Sequence, residues 1–288
     1  MQPVVVPTVL GDVVAHASER RGSTATLLLH GAAGSWATWQ PLIEAARSSG
    51  QPLIDTVALD LPGWGGSGPL PKDADIASMT EAVAQVANSL GYAEWNAVGH
   101  SLGGHLALDL AVRMPQQTNS VTLISATGSG AVAMLRHPLR RFTTLPWLAG
   151  MVVAMRMLTL FGRAATPLLR LLHRSGLLRI LAAPLFAEPV SHEMSDALSR
   201  EIRPKAFLLA ARAAAAWDER SWSEVRCPVA VISGSRDVFV ARGDAAWYAA
   251  HLRHASQYVI REAGHFAHVE HPERVLEILR DVADRGEG

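Results

Sequence analysis

The stretch Val98-Gly99-His100-Ser101-Leu102-Gly103-Gly104 decides how the rest of the chain is read. An apolar run, Trp95-Asn96-Ala97-Val98, enters it, and an amphipathic run from Leu102 to Met114 leaves it. Strand, sharp turn, helix is the context in which Gly-x-Ser-x-Gly carries a mechanism. Such a turn strains the serine backbone, and glycine at 99 and 103 lets strand and helix pass close together. Ser101 Oγ is then held at the C-terminal edge of a sheet. The N-terminus of a helix lies just behind it, and its positive end favours an anion beside the serine.

Outward from this point, apolar strands and amphipathic helices alternate. Val4-Val5-Val6 and Val13-Val14-Ala15-His16 read as a hairpin turning at Gly11-Asp12. Thr26-Leu27-Leu28-Leu29 is a continuous apolar run, the pattern of a strand buried on both faces. A helix from Trp36 to Arg47 and a strand from Ile54 to Leu59 follow. Ile76, Met79, Val83, Val86 and Leu90 recur at spacings of 3, 4, 3 and 4, which predicts an amphipathic helix. After the serine strand and helix comes a strand from Val121 to Ser125. Alternation stops between Gly128 and Trp222, where the chain reads as helix broken by prolines. It resumes with strand Val229 to Ser233, helix Arg242 to Leu252, strand Gln257 to Ile260 and a last helix from Pro272 to Ala283. Such alternation predicts an α/β fold: a mostly parallel eight-stranded sheet with helices on both faces. The expected division is a core of residues 1–127 and 223–288, with a helical cap at 128–222 inserted after the sixth strand.

A serine hydroxyl is a weak nucleophile. It needs a base within hydrogen-bond reach, and the base needs an orienting partner. Asp237 follows the Val229 strand, and His265 follows the Gln257 strand. Parallel strands present their C-termini together, so both belong at the Ser101 edge. The chain order Ser101, Asp237, His265 is the one this arrangement requires. No Asp or Glu lies between Ser125 and Ala133, the main rival position for the acid. Backbone N–H donors for an oxyanion are expected from Leu102 and from Ala32, with Ala33 as the alternative. Nothing in this group resembles a metal site, and no cofactor is implied.

Four segments together resemble the α/β-hydrolase fold family: His30-Gly31, the loop from Asp60 to Ser67, Gly99 to Gly104, and Gly264-His265 with Glu270 and Pro272. Gly234 to Asp237 is a fifth, weaker match. The resemblance implies about eight strands, a Ser-His-Asp triad and a lid after the sixth strand. The family hosts esterases, thioesterases, C–C bond hydrolases, lyases and perhydrolases, so the fold does not choose the reaction. Ser101 argues against its dehalogenase and epoxide hydrolase branches, which use an aspartate nucleophile.

Other residues read as follows. Ala33, Trp36, Trp64, His100 and Phe266 are candidates to line the substrate pocket. His100 could equally hold the turn. His30 reads as a packed histidine bonding loop backbone, His105 as helix packing and Asp60 as a turn residue. His268 and His271 read as capping or surface residues near the last helix. Cys227, the one cysteine, reads as a structural thiol at a strand edge; it permits no intrachain disulfide and fits a reducing, cytoplasmic setting. The N-terminus lacks a basic region before an apolar core, so no signal peptide is read.

Apolar residues make up 49% of the 288 and charged residues 18%, a core-rich composition that excludes disorder. With a formal net charge of zero, the whole chain offers no argument for nucleic acid. Charge is nevertheless segregated: Gly128 to Ala187 holds eight arginines and no Asp or Glu. Trp147–Phe161 and Thr166–Leu181 read as helices, the second capped by Thr166 with Pro167 at its first position. Their apolar faces, with methionines at 151, 155 and 157, are expected to roof the pocket, so the expected substrate is a small to medium hydrophobic ester or acyl compound. The arginines read as a solvated outer face, as attraction to an anionic membrane surface, or as a seat for an acidic carrier. Loss of salt-sensitive turnover on Arg140→Glu or Arg141→Glu would mark the carrier. The resulting expectation is a serine esterase. Thioesterase or C–C hydrolase chemistry on the same triad is the alternative, and a non-catalytic ligand-binding receptor or scaffold is the alternative of another class.

Overall fold

The computed structural model describes residues 1–136, 145–189 and 191–286. Arg140 and Arg141 lie outside the described residues. Eight strands form one sheet: β1 (Gln2–Thr8), β2 (Gly11–Ala17), β3 (Thr24–Leu29), β4 (Thr56–Leu59), β5 (Glu94–His100), β6 (Thr118–Ile124), β7 (Val229–Gly234) and β8 (Ala255–Ile260). Their order is β1-β2-β4-β3-β5-β6-β7-β8. β1 pairs with β2, and β2 with β4, antiparallel; every other pairing is parallel. Apolar periodicity sets the register. Leu27 and Leu29 point into a core with Val57, Leu59, Val121 and Leu123, while Leu28 points the other way, beside Val98, Ile124 and Ile232. All three leucines of β3 are fully buried, and each such burial is worth about 1.5–3 kcal/mol.

Helices cover both faces. On the Leu27 face lie α2 (Ile76–Ser89), α3 (Leu102–Arg113) and later α10 (Asp244–His251); on the Leu28 face lie α1 (Gln40–Ser48) and the last helix, α12 (Pro272–Gly286). α2 starts where Asp75 accepts from the Ser78 N–H at 2.8 Å and Ser78 Oγ accepts from the Asp75 N–H at 3.0 Å. This reciprocal cap satisfies donors that a helix start leaves orphaned. Between β6 and β7 the described chain is helical: α4 (Ser129–Arg136), α5 (Pro146–Leu160), α6 (Ala165–Arg174), α7 (Leu177–Ala182), α8 (His192–Arg200) and α9 (Pro204–Ala216). α11 (Ala267–Glu270) is a single turn before α12.

Several local expectations shift. The first hairpin turns at Val9-Leu10, because Thr8 pairs with Gly11 and Gly11 itself takes φ +94° as the return strand begins. The helix expected from Trp36 opens as a 3-10 turn over Trp36–Trp39 and becomes α-helical only at Gln40. Thr166–Leu181 is two helices, because Gly176 adopts φ +75° and breaks the run. The first of the two begins at Ala165 with Ala164 at its N-cap, so Thr166 is not the cap and Pro167 falls within the first turn.

Close approach of α3 to the sheet fixes the centre of the molecule. A methyl group on Gly103 would run into the Leu29 carbonyl oxygen, and one on Gly99 into the Gly103 carbonyl. Gly150, in α5, has open space in the same direction. Gly103→Ala should therefore lower the unfolding free energy by at least about 2 kcal/mol. Gly150→Ala should raise it by about 0.5–1 kcal/mol, the helix-propensity gain. Urea denaturation of the two variants beside the parent measures both.

Candidate active site

The sheet register brings three strand ends together. His100 pairs with Ile124, Ile124 with Ile232, and Gly234 with Ile260. Ser101 therefore follows β5 at the same edge where Asp237 follows β7 and His265 follows β8. Ser101 sits at φ +51°, ψ −115°, a region a non-glycine residue occupies only under strain. Its N–H donates to the Ile124 carbonyl at 3.1 Å, and its own carbonyl accepts from the Gly104 N–H at 3.0 Å. Sheet and helix thus hold the turn from both sides.

His265 is 3% exposed, and its backbone N–H donates to the Leu185 carbonyl at 2.7 Å. Its Nδ1 stands 3.1 Å from both Asp237 carboxylate oxygens. With a carboxylate there, Nδ1 carries the proton and Nε2 is left free to accept one. The Asp237 carboxylate also accepts from the Phe239 N–H at 2.8 Å. Burial works to raise its pKa, but the neighbouring His265 and these hydrogen bonds outweigh it and hold the carboxyl below its ordinary value. Asp237 is accordingly ionised at neutral pH.

Ala32, Ala33, Ser101 and Leu102 line one cavity with His265. Leu102 is the first residue of α3, so its N–H has no acceptor within the helix. Gly31 to Gly34 form a tight turn in which the Gly34 N–H bonds the Gly31 carbonyl at 3.0 Å and Ala33 takes φ +72°. The two central N–H groups, of Ala32 and Ala33, take no part in that turn bond.

The cavity measures about 630 Å³. Its roof comes from α5, α6, α7, α8 and α9, including Met151, Met155, Leu158, Leu172, Leu198 and Phe207. Polar lining is confined to His100, Ser101, Thr127, Ser195, Ser199 and His265; among the described residues no charged side chain lines it. His100 and Phe266 line it, and His100 also holds the turn: its Nε2–H donates to the His265 carbonyl at 2.9 Å. Trp36 and Trp64 do not line it. Trp64 is fully buried in the sheet core, and Trp36 stacks on His16 at 4.0 Å. Both flank glycine-containing loops, but the loops turn their indoles away from the opening.

Several other titratable residues hold loop backbone or pack in the core. His30 Nδ1–H donates to the Gly31 carbonyl at 2.8 Å, and its Nε2 accepts from the Leu61 N–H at 2.9 Å. Asp60 accepts from the Gly66 N–H of its own loop and from the Trp36 N–H of the loop after β3, both at 2.9 Å. His105 packs edge-on against Trp217 and Trp222. Burial pushes the Cys227 thiol up to about 11, as suits a structural thiol. His271 bonds the Glu262 carbonyl. His268 departs from expectation: it is fully buried, its ring 4.5 Å from Trp39 and 4.6 Å from His100. α11 turns it inward, beneath the site. Glu270 carries more than the sequence reading gave it. One carboxylate oxygen accepts from the Gly264 N–H at 2.7 Å, and the other from the Ala187 N–H at 2.6 Å and the Glu188 N–H at 3.2 Å. Its acidic side chain five residues past His265 was the available signal.

The comparisons agree with this architecture. A family model described as alpha/beta hydrolase fold matches residues 25–272, and the chain belongs to that family. A 2-hydroxy-6-oxononadienedioate/2-hydroxy-6-oxononatrienedioate hydrolase of Burkholderia vietnamiensis is 27% identical over 90% of this chain and 88% of its own length. The acetyltransferase component of the acetoin cleaving system of Cupriavidus necator is 36% identical over 42% of this chain. The match spans only 31% of that longer relative. Among solved structures, an esterase of Thermogutta terrifontis superposes with a TM-score of 0.71 at 20% identity over the full length of both chains. An esterase of Exiguobacterium antarcticum gives 0.74 at 13% identity, over 98% of this chain and all of the other. Fold and relatives together make this a hydrolase-family chain.

Four buried histidines make stability depend on pH. Burial lowers His30 and His105 to about 4 and His268 to about 3. His100 falls well below its ordinary value, through burial first and then the nearby His268 and His265. As pH drops below about 6.5 the unfolded chain takes up protons that the folded chain refuses. Each such histidine then costs about 1.4 kcal/mol per pH unit until its folded pKa is reached. The thermal midpoint should fall steadily between pH 6.5 and pH 4, and a calorimetric series over that range reads the slope.

Proposed function

We propose that the protein is a serine hydrolase that cleaves a carboxylic ester of a small to medium hydrophobic acyl compound. The observation that carries this reading is Ser101, strained at φ +51° on the floor of an uncharged cavity that also exposes His265, itself held by Asp237. Ser101 Oγ attacks the acyl carbonyl carbon while His265 Nε2 takes its proton. The carbonyl π pair moves onto oxygen, and the N–H groups of Leu102 and Ala32 hold that oxyanion. Collapse expels the alcohol, which leaves with the proton from His265. Water then repeats the sequence on the acyl-enzyme, with His265 again as base, and releases the acid and free Ser101. Asp237 stays ionised throughout and stabilises the imidazolium.

The name of the Burkholderia relative raises C–C bond hydrolysis on the same three residues. Its named substrate is a dicarboxylate, which calls for cationic partners in the pocket. The uncharged lining among the described residues favours an apolar acyl group instead. A thioester of the same acyl group would fit the same cavity. A receptor or scaffold role is disfavoured by the Asp237–His265 pair, which simple ligand binding does not need.

p-Nitrophenyl esters of increasing chain length, with Ser101→Ala as control and a fluorophosphonate as probe, test the reading. Turnover should be measurable on short or medium chains and fall about a thousandfold or more in Ser101→Ala. Asp237→Asn should lose activity by a comparable factor while retaining fluorophosphonate labelling at a reduced rate. Labelling of Ser101 without turnover of any ester would move the reading to thioester or C–C substrates. The absence of both labelling and turnover would overturn it.

A further inference from the structure

Among the described residues fourteen large hydrophobic side chains are exposed, and nine of them lie between Trp147 and Leu181. They follow the helices. α5 buries Leu148, Val152 and Met155 and turns Trp147, Val153, Met157 and Leu160 outward. On α6 and α7, Leu171, Ile180 and Leu181 are 64%, 67% and 59% exposed. α7 buries no residue fully. Exposed apolar side chains this concentrated, four of them around the mouth of one cavity, mark an interaction site.

Arginine dominates the charge carried by these helices, and the acid beside them, Asp196 of α8, is taken up by His173 of α6 at 3.2 Å. Arg156, Arg170, Arg174 and Arg179 are exposed, and Leu145 to Ala187 contains no Asp or Glu. Arg179 contacts the His192 ring; Arg156, Arg170 and Arg174 form no ion pair among the described residues. Trp147, Met157, Phe161 and Leu181 are more than half exposed and also line the Ser101 cavity, so they form its outer rim.

We infer that the face built by α5, α6 and α7 docks on an anionic lipid bilayer. Leu160, Leu171 and Ile180 seat among the acyl chains, the arginines meet lipid phosphates, and the cavity rim opens toward the membrane. A second copy docked through the same helices would set arginine against arginine, with no carboxylate on α5, α6 or α7 to pair them. An acidic carrier would satisfy the arginines but leave the aliphatic tips against a polar surface. No helix among the described residues is long and apolar enough to cross a membrane, so the contact is a surface one. Docking is independent of the bond cleaved, and the inactive Ser101→Ala protein should dock as well as the parent.

Co-sedimentation with vesicles tests this. The parent and Ser101→Ala should pellet with three parts phosphatidylcholine to one part phosphatidylglycerol, much less with phosphatidylcholine alone, and less at high salt. Leu160→Asp/Leu171→Asp/Ile180→Asp should weaken vesicle binding about tenfold or more, with its circular dichroism and any short-ester turnover unchanged, since none of the three lines the cavity. Should that variant misfold, Arg156→Glu/Arg170→Glu/Arg174→Glu supplies the same comparison through the anionic preference. Failure of the parent to pellet with anionic vesicles would overturn the inference. So would undiminished binding by a folded variant, or a parent dimer that these substitutions split.

Discussion

Everything else in the molecule depends on how closely α3 lies against the sheet. With Gly103 under the Leu29 carbonyl and Gly99 under the Gly103 carbonyl, the helix starts almost in contact with β3 and β5. That leaves Ser101 nowhere to go but the left-handed region, with its side chain projecting beyond the strand ends. Helical dipole, free Leu102 N–H and hydroxyl then converge on one point without a dedicated binding loop. The strain is sustained because the surroundings over-determine it: a backbone bond to β6, a helix bond to Gly104, and the fully buried leucines of β3 behind.

Much of this was legible in the sequence because it is written locally. Continuous apolar runs named the central strands, and a period near 3.6 named α2. Gly-x-Ser-x-Gly located the turn, and strand ends located Asp237 and His265. What escaped depends on side-chain direction after long-range packing. Trp64 beside two glycines could face the opening or the core, and only the packing of the Asp60 loop decides for the core. His268 stands three residues from His265 on a segment that looks like surface, yet a single helical turn rotates it under Trp39. Glu270 matched a family pattern without its partners being visible, since two of its three donors lie more than eighty residues earlier in the chain. The break at Gly176 was signalled by a glycine inside an otherwise helical run, a cue that composition alone leaves ambiguous.

Polar groups around the site are divided by task. His30, Asp60 and Glu270 spend their hydrogen-bonding capacity on loop backbone, so the loops carrying Gly31, Trp36 and Gly264 are fixed by side chains rather than by strand pairing. His100 reaches across to the His265 carbonyl and ties the residue before Ser101 to the residue that faces it. The charged groups are kept behind this layer, and the cavity in front of it remains apolar. Electrostatic interactions inside such a space are little screened, which favours stabilising charge that appears transiently over binding charge that is permanent.

The Leu185 carbonyl holds the His265 backbone, and Glu270 ties Gly264 to Ala187 and Glu188. The roof is thus riveted to the sheet at its trailing end, beside the imidazole. A rigid swing of the whole insertion about its two connections would tear these bonds and pull His265 away from Asp237. Away from that end, Gly162 and Gly176, both at positive φ with open space around them, divide the roof into short helices. The roof is thereby jointed along α5 to α7 and pinned beside the imidazole that Asp237 holds.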